Sequence, residues 1–316
     1  MLLERFSKYA GLPLSQIERY AASASRRYKV YQIPKRTSGL RTIEQPSSEI
    51  KAIQRWLIGA VIDRFPTHAA ATAYAKGSSV KKNATLHRSN PFTLRLDYRS
   101  FFPSFTGDHV DRFFSDKAKE RDLIFDEKDL WFFRQIVLRN GALTIGAPSS
   151  PSLTNVMMYD LDAKMATWCK EQALIYTRYA DDIFISARQP NQLKRALDYT
   201  RQQSTAYRYG DLKINDEKTA FLSRRYRRSV TGLIITPEGN ISIGLSRKTL
   251  IKTMIYKYKI GKLNPEEHTK LQGLVAFASD SEPTFFATLN RKYGKAVLDE
   301  IRTGTFKDGV VTALRA

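Results

Sequence analysis

The run Tyr176-Thr177-Arg178-Tyr179-Ala180-Asp181-Asp182-Ile183-Phe184-Ile185 sets two adjacent carboxylates inside an otherwise apolar, strand-forming stretch. Aromatic and β-branched residues flank the acids on both sides, so Leu174 to Ser186 reads as a β-hairpin with Asp181 and Asp182 at its tip. Leu94-Arg95-Leu96-Asp97-Tyr98 repeats the theme: the apolar strand Phe92 to Leu96 ends on a third carboxylate. Like charges side by side repel, and burial raises the penalty unless a cation lies between them. A pair of Mg²⁺ ions would relieve both. Magnesium takes carboxylate and phosphate oxygens, and two such ions can clamp the attacking and leaving oxygens of a phosphoryl transfer. The plainer reading makes Asp181-Asp182 a polar β-turn and Asp97 a strand-end cap or salt-bridge partner.

Composition narrows the field. The 316 residues carry 52 Lys plus Arg against 31 Asp plus Glu, a formal net charge of +21, which suits a polyanionic partner such as nucleic acid. With 42% hydrophobic and 11% aromatic residues, the chain can build a packed core rather than a solvated tail. Its one cysteine, Cys169, excludes a disulfide framework and a Cys-rich zinc site and fits a reducing cytoplasm. The apolar run Trp56 to Ile62 is far short of the roughly 20 residues that span a bilayer. The N-terminus lacks an apolar signal core, so neither membrane nor export is expected.

Outward from the acids, the pattern is α+β. Ser15 with Glu18 forms a capping-box pattern ahead of a helical stripe, Ile17, Tyr20, Ala21 and Ala24. Tyr28 to Ile33 and Leu40 to Glu44 read as strands joined by a loop from Pro34 to Gly39. Ser47-Ser48 starts a helix whose apolar face is Ile50, Ile53, Leu57, Ala60 and Val61, with Lys51 and Arg55 facing outward. Residues 108–139 are mostly helical, and Pro151 to Cys169 reads as one further helix, with Cys169 in the core. Strands are expected at Ala220 to Leu222, Ser229 to Thr236 and Ile241 to Leu245, with Pro237-Glu238-Gly239-Asn240 as a turn. Beyond Ser246 only helical stripes remain. The expected division is 1–92, 93–245 with a helical insertion at 108–143, and a basic helical lobe, 246–316.

Taken together, these segments resemble the reverse transcriptases. Tyr179-Ala180-Asp181-Asp182 is similar to that family's signature, and Asp97-Tyr98-Arg99-Ser100-Phe101-Phe102 is similar to the palm motif whose Asp binds metal. Gly146-Ala147-Pro148-Ser149-Ser150-Pro151 resembles the loop that contacts template and incoming nucleotide. Leu212 to Asn215 with Lys218-Thr219 resembles the motif bearing a lysine near the triphosphate. Lys35 through Gly39 to Arg41 resembles the fingers hairpin. Val230-Thr231-Gly232-Leu233 resembles the primer-gripping strand. Asn83-Ala84-Thr85-Leu86-His87 and Val230-Thr231-Gly232 resemble two elements typical of retron reverse transcriptases. One position departs: most relatives carry Gln before the glycine, whereas this chain has Ile145, as in enzymes of diversity-generating elements.

The resemblance implies a right-hand polymerase with fingers, an antiparallel palm and a small helical thumb, acting as an RNA-directed DNA polymerase. Asp97, Asp181 and Asp182 would be the catalytic metal ligands for two Mg²⁺ ions, with Mn²⁺ as a substitute; the resemblance makes Asp182 the weaker ligand, and consecutive residues on a strand point oppositely. Lys35 and Arg41 would hold the triphosphate of a dNTP, with Phe102 as steric gate against a 2′-OH and Gly146 and Lys218 beside the nucleotide. Asn83, His87, Tyr179, Val230, Thr231 and Gly232 are assigned to nucleic acid. Arg224-Arg225-Tyr226-Arg227-Arg228 reads equally as a phosphate grip or a solvated turn. Lys248, Lys252, Lys257 and Lys259 mark the thumb, which would recognise a stem-loop. His87 has no His or Cys partner at zinc spacing. A retron enzyme would bind its cognate structured noncoding RNA, prime from an RNA 2′-OH and make RNA-linked single-stranded DNA for antiphage defence with an effector protein. Another bacterial reverse transcriptase, of group II intron or diversity-generating type, and a non-catalytic RNA-binding scaffold are the alternatives.

Overall fold

The computed structural model describes residues 1–35, 39–75 and 77–304. Part of the loop expected between Pro34 and Gly39, and the end of the expected 246–316 lobe, lie outside the described residues. By packing, the chain divides into two compact units that do not follow sequence order: Met1–Ser78 with Leu94–Phe221, and Ser79–Thr93 with the chain from Leu222 onward.

In chain order the elements are α1 (Leu2–Ala10), α2 (Leu14–Ala22), β1 (Tyr28–Pro34), β2 (Leu40–Pro46), α3 (Ser48–Ala60), α4 (Val80–Leu86), β3 (Phe92–Asp97), α5 (Gly107–Lys117), α6 (Glu127–Val137), α7 (Ser149–Met157) and α8 (Tyr159–Glu171). There follow β4 (Ile175–Tyr179), β5 (Asp182–Ala187), α9 (Gln192–Thr205), β6 (Ala220–Ser223), β7 (Arg228–Val230), β8 (Leu233–Ile235), β9 (Ile241–Ser242), α10 (Leu245–Lys259), α11 (Pro265–Ser281), α12 (Pro283–Tyr293) and α13 (Lys295–Thr303).

A four-stranded sheet in the order β4-β5-β3-β6 carries the site of the first unit. Its central strands are apolar because both faces are covered: Leu94, Leu96, Ile183, Phe184 and Ile185 are buried, and α8 and α9 pack against β4 and β5. The order sets Asp97, at the end of β3, beside the β4–β5 hairpin. The β1–β2 ribbon is largely exposed. Helix α3 is capped by Ser47, whose hydroxyl accepts the Ile50 N–H, and buries Ile50, Ile53 and Leu57.

The second unit sets α4 against a three-stranded sheet, β7-β8-β9. Helices α10 to α13 complete it, and α11 contacts α10, α12 and α13. Glu282 ties sheet to helices: its carboxylate accepts the Ser242 hydroxyl at 3.0 Å, the Ile243 N–H at 2.9 Å and the Lys248 ammonium at 2.5 Å.

Three local expectations are corrected. Helix α2 begins at Leu14, and Pro13 supplies the carbonyl bound by the Gln16 and Ile17 N–H groups, so Ser15 lies inside the first turn and is no cap. The helix expected from Pro151 to Cys169 is interrupted at Met158. The single strand expected from Ser229 to Thr236 is a hairpin, β7–β8, because Thr231 and Gly232 take φ of +48° and +80°. Two consecutive positive φ values are the signature of the tight turn that matches strand twist.

Candidate active site

The β4–β5 hairpin closes on a two-residue turn, Ala180-Asp181, between the paired residues Tyr179 and Asp182. Ala180 has φ +56°, a left-handed conformation in which a Cβ is strained. What holds it there is Arg178. This side chain is fully buried, and its Nη1 donates to the Ala180 carbonyl at 3.1 Å. The rest of the guanidinium grips Asp162 of α8: Nη2 to Oδ2 at 2.6 Å, and Nε to Oδ1 at 2.9 Å and to Oδ2 at 3.2 Å. Nη1 also reaches Asn155 Oδ1 at 3.3 Å, and the Tyr176 hydroxyl donates to Asp162 Oδ1 at 2.7 Å. Burial pulls the Arg178 pKa down, but the Asp162 carboxylate more than offsets it, and the net shift is upward. Alternation along β4 places Tyr176 and Arg178 on one face. An arginine on a buried face demands an acidic partner; that signal was present in the sequence, but the partner's position on α8 was not.

Backbone bonds then draw the three expected acids together. The Tyr98 N–H donates to the Asp181 carbonyl at 3.1 Å, and the Asn215 N–H to the Asp97 carbonyl at 2.8 Å. The Asp97 carboxylate, nearly buried, accepts Lys218 Nζ on both oxygens, at 2.8 and 2.9 Å. Burial raises the Asp181 carboxyl, and Asp97 adds to the rise, while Lys218 and Arg41 oppose it. Asp182 is pushed up to about 7 by burial, then by Asp181 and Asp97, with Arg95 and Lys218 opposing. Arg95 was not among the expected site residues. Among the described residues no three such side chains stand arranged around one point to hold an ion. The donor set is nonetheless all carboxylate oxygen, as magnesium requires. Mutual repulsion leaves it short of positive charge, and the Lys218 ammonium already sits on one member as a cation. In kind, the residues fit a divalent ion.

Around this centre, Arg41 lies on exposed β2 opposite Ile33, and Lys35 follows β1, its N–H donating to the Gly39 carbonyl at 2.9 Å. Phe102 starts a single 3₁₀ turn and packs edge-on against Phe101, centroids 5.4 Å apart. The chain reaches it through Ser100, at φ +46°. Gly146 has φ +117°, and a Cβ there would stand 2.9 Å from the Glu44 carbonyl oxygen. Only glycine lets this loop press against β2, where the Glu44 N–H donates to the Ile145 carbonyl at 2.8 Å. A cavity of about 300 Å³ is lined by Phe102, Ile145, Gly146, Tyr74, Lys51 and Arg55, among others. Lys51 and Arg55 face outward, as expected, Arg55 exposed and Lys51 half-exposed, and both lie along the rim of this cavity.

The second unit gathers the other expected residues. Asn83 and His87 are buried on α4 and at its end, and burial, with Arg228 nearby, lowers His87 to about 3. Thr231, strained in its turn, donates its hydroxyl to the Val80 carbonyl at 3.1 Å, which ties the 230–232 turn to the first residue of α4, the helix that carries Asn83 and ends at His87. Val230 is buried in β7, and the Gly232 carbonyl accepts Arg247 Nη1 at 2.6 Å. Arg228 is buried too, while Arg224, Arg225 and Arg227 are exposed beside an exposed Tyr226. Lys252 lies 5.9 Å from the centroid of the Phe285 ring, Lys257 pairs with Glu267 at 3.3 Å, Lys248 pairs with Glu282, and Lys259 is exposed at the end of α10.

Residues 33–236 match the family described as reverse transcriptase (RNA-dependent DNA polymerase). The α+β architecture is that of a right-hand polymerase, and the activity is RNA-directed DNA synthesis. The chain is 36% identical over 284 residues to the Retron Ec83 reverse transcriptase of Escherichia coli, covering 87% of this chain and 89% of that protein. It is 31% identical over 308 residues to the Retron Ec86 reverse transcriptase of Escherichia coli, covering 95% and 93%. Among solved structures, apo telomerase from Candida Tropicalis shares the fold, with a TM-score of 0.52 at 12% identity, over 90% of this chain and 64% of that one. The chain belongs to the retron reverse transcriptases. Among the described residues, no helix is long and apolar enough to cross a membrane.

Proposed function

We propose that this polymerase binds a cognate structured noncoding RNA, starts synthesis from a 2′-OH of that RNA, and leaves a branched, RNA-linked single-stranded DNA that serves antiphage defence with an effector protein. The observation that carries the reading is the Thr231–Val80 hydrogen bond. It anchors the Val230-Thr231-Gly232 turn to the start of α4, the helix that carries the Asn83-to-His87 element and packs on β7 and β8, in the unit that also holds the exposed Arg224, Arg225, Tyr226 and Arg227 suited to RNA phosphates and bases.

In the first unit, Asp97, Asp181 and Asp182 would hold two Mg²⁺ ions, or Mn²⁺ in their place. Bound there, the ions would align primer hydroxyl and α-phosphate and stabilise charge on both oxygens. Asp97 would exchange its Lys218 partner for this role, freeing the ammonium for the triphosphate and its departing pyrophosphate. Arg41, whose charge already reaches Asp181, and Lys35 would neutralise the β- and γ-phosphates, with the arginine favoured for bidentate contact. The Phe102 ring would collide with a 2′-OH on the incoming sugar. Gly146, by lacking a side chain, lets its loop close against β2 and shape the nucleotide seat.

The test is purified full-length protein with its co-purifying RNA, dNTPs and Mg²⁺. DNA product covalently joined to that RNA and released by a 2′,5′-debranching enzyme is the expected result. DNA free of RNA would reject the priming scheme, and no dNTP incorporation at all would favour an RNA-binding scaffold. Phe102→Ala is expected to admit ribonucleotides; unchanged sugar choice removes the gate.

A further inference from the structure

The β1–β2 ribbon carries Arg41 and leads to Lys35, yet its outer part is bare: Lys29 to Pro34 and Leu40 to Thr42 are all exposed. A two-stranded ribbon by itself is marginally stable in water, so its direction must be fixed at its base. That base is gripped on both faces. Cross-strand partners share a face, and neighbours along a strand alternate. The pairings of Val30 with Glu44 and of Ile33 with Arg41 therefore put Glu44 and Arg41 on opposite faces. On the Arg41 face, Ile43 lies against Gly146, where an added Cβ would stand 3.2 Å from the Ile43 side chain. On the other face, Arg139 Nη1 meets Glu44 Oε1 at 2.8 Å, with only 20% and 24% of the two side chains exposed. The same guanidinium stands 5.8 Å from the centroid of the Tyr28 ring.

Arg139 is itself fixed. It opens a tight turn: its N–H donates to the Ala142 carbonyl at 2.9 Å, and the Ala142 N–H donates back at 3.2 Å. Asn140 and Gly141 between them take φ of +51° and +82°. The Gly107 N–H donates to the Gly141 carbonyl at 3.0 Å, and the Leu143 N–H to the Phe105 carbonyl at 3.0 Å. The Phe105 N–H donates in turn to the Phe102 carbonyl at 3.1 Å. One turn is thus bonded to the segment that starts at Phe102 and, through Arg139, to the ribbon that bears Arg41. Arg139 Nε is buried without a hydrogen-bond partner. A buried donor left unpaired is destabilising and calls for a reason; holding Glu44 supplies one.

We propose that Arg139 is a positioning residue for the incoming nucleotide: by gripping Glu44 it aims the ribbon, so that Arg41 and Lys35 meet the triphosphate of the nucleotide whose sugar lies at Phe102. The proposal rests on the reading that Arg41 and Lys35 hold the triphosphate. Arg139 touches neither the nucleotide nor the reacting atoms. Without it the ribbon samples directions in which the two cations miss the phosphates. That loss of preorganisation weakens nucleotide binding, while the three carboxylates keep their places.

The test is steady-state dNTP incorporation by the full chain on a fixed primer and RNA template, with melting measured alongside. Arg139→Met and Glu44→Met are each expected to raise KM for dNTP about 3- to 10-fold, the worth of a partly shielded ion pair. kcat should stay within about twofold, the pattern of lost ground-state binding. Because both side chains act through one contact, the double variant should be no worse than the poorer single one, whereas independent roles would multiply. An unchanged KM in a protein that melts lower, a fall in kcat at constant KM, or a multiplicative double variant overturns the proposal. Arg41→Ala, measured in parallel, separates the two layers. A raised KM for Arg41→Ala with none for Arg139→Met overturns the clamp alone. An unchanged KM for Arg41→Ala overturns the triphosphate reading and the proposal with it.

Discussion

Arg178→Met removes one half of an ion pair with no solvent access on either side. Asp162 then keeps its charge in the interior with only the Tyr176 hydroxyl to answer it, and breaking a buried pair in this way costs about 3–5 kcal/mol. In a unit of about 200 residues, each kcal/mol lowers the melting temperature by about 2–4 °C, so a fall on the order of 10 °C is expected. Adding Asp162→Leu replaces the pair by apolar groups and is expected to return most of that loss, since such replacements are often neutral. A remainder of about 1–3 kcal/mol should persist, because the buried Tyr176 hydroxyl has lost its acceptor, and Tyr176→Phe should return that too. The triple variant separates folding from positioning. Its turn lacks the Nη1 bond to the Ala180 carbonyl, a charged hydrogen bond worth about 1.5–3 kcal/mol, so dNTP incorporation on an RNA template should run about 10- to 100-fold slower in a protein that melts normally. A single variant melting within 2 °C of wild type would refute the buried pair. A triple variant with full stability and full rate would refute the argument that Arg178 sets the turn beneath Asp181.

Asp181→Asn is expected to cut DNA synthesis by at least about a hundredfold, with the melting temperature unchanged or higher because one of several mutually repelling, desolvated carboxylates is gone; retained synthesis would dismiss the metal assignment. Gly146→Ala forces a Cβ to 2.9 Å from the Glu44 oxygen at φ +117°, so a loss of about 1–3 kcal/mol and a raised KM for dNTP are expected, read by urea titration and steady-state kinetics. His87, neutral in the fold with a pKa of about 3, ionises first in the unfolded chain as pH falls through 6.5, so stability is full above that value and declines below it. Between pH 7 and 5 the wild type should lose about 2 kcal/mol more than His87→Gln; parallel pH profiles for the two proteins would show that His87 is not buried neutral.

Much of this molecule is local and therefore readable. The apolar runs ending in Asp97 and enclosing Asp181-Asp182, the helical stripes after Ser246 and the turn at Pro237 to Asn240 follow from periodicity and turn chemistry, which depend on a few neighbouring residues. The splitting of Ser229 to Thr236 is not legible in the sequence because Thr231 is β-branched and disfavours the left-handed region; the bond to the Val80 carbonyl holds it there, and that partner is 151 residues away.

Composition and spacing alone determined an α+β, nucleic-acid-binding chain with three acids at strand ends. Only the folded chain decided that Arg178 answers Asp162, that Lys218 covers Asp97, that Lys51 and Arg55 rim a cavity, and that the start of α4 joins the Thr231 turn. These are pairings between distant segments, selected by the high cost of leaving a charge or a polar group buried and unanswered. A one-dimensional pattern can show that such a group needs a partner, but which partner it meets depends on packing among elements far apart in the chain.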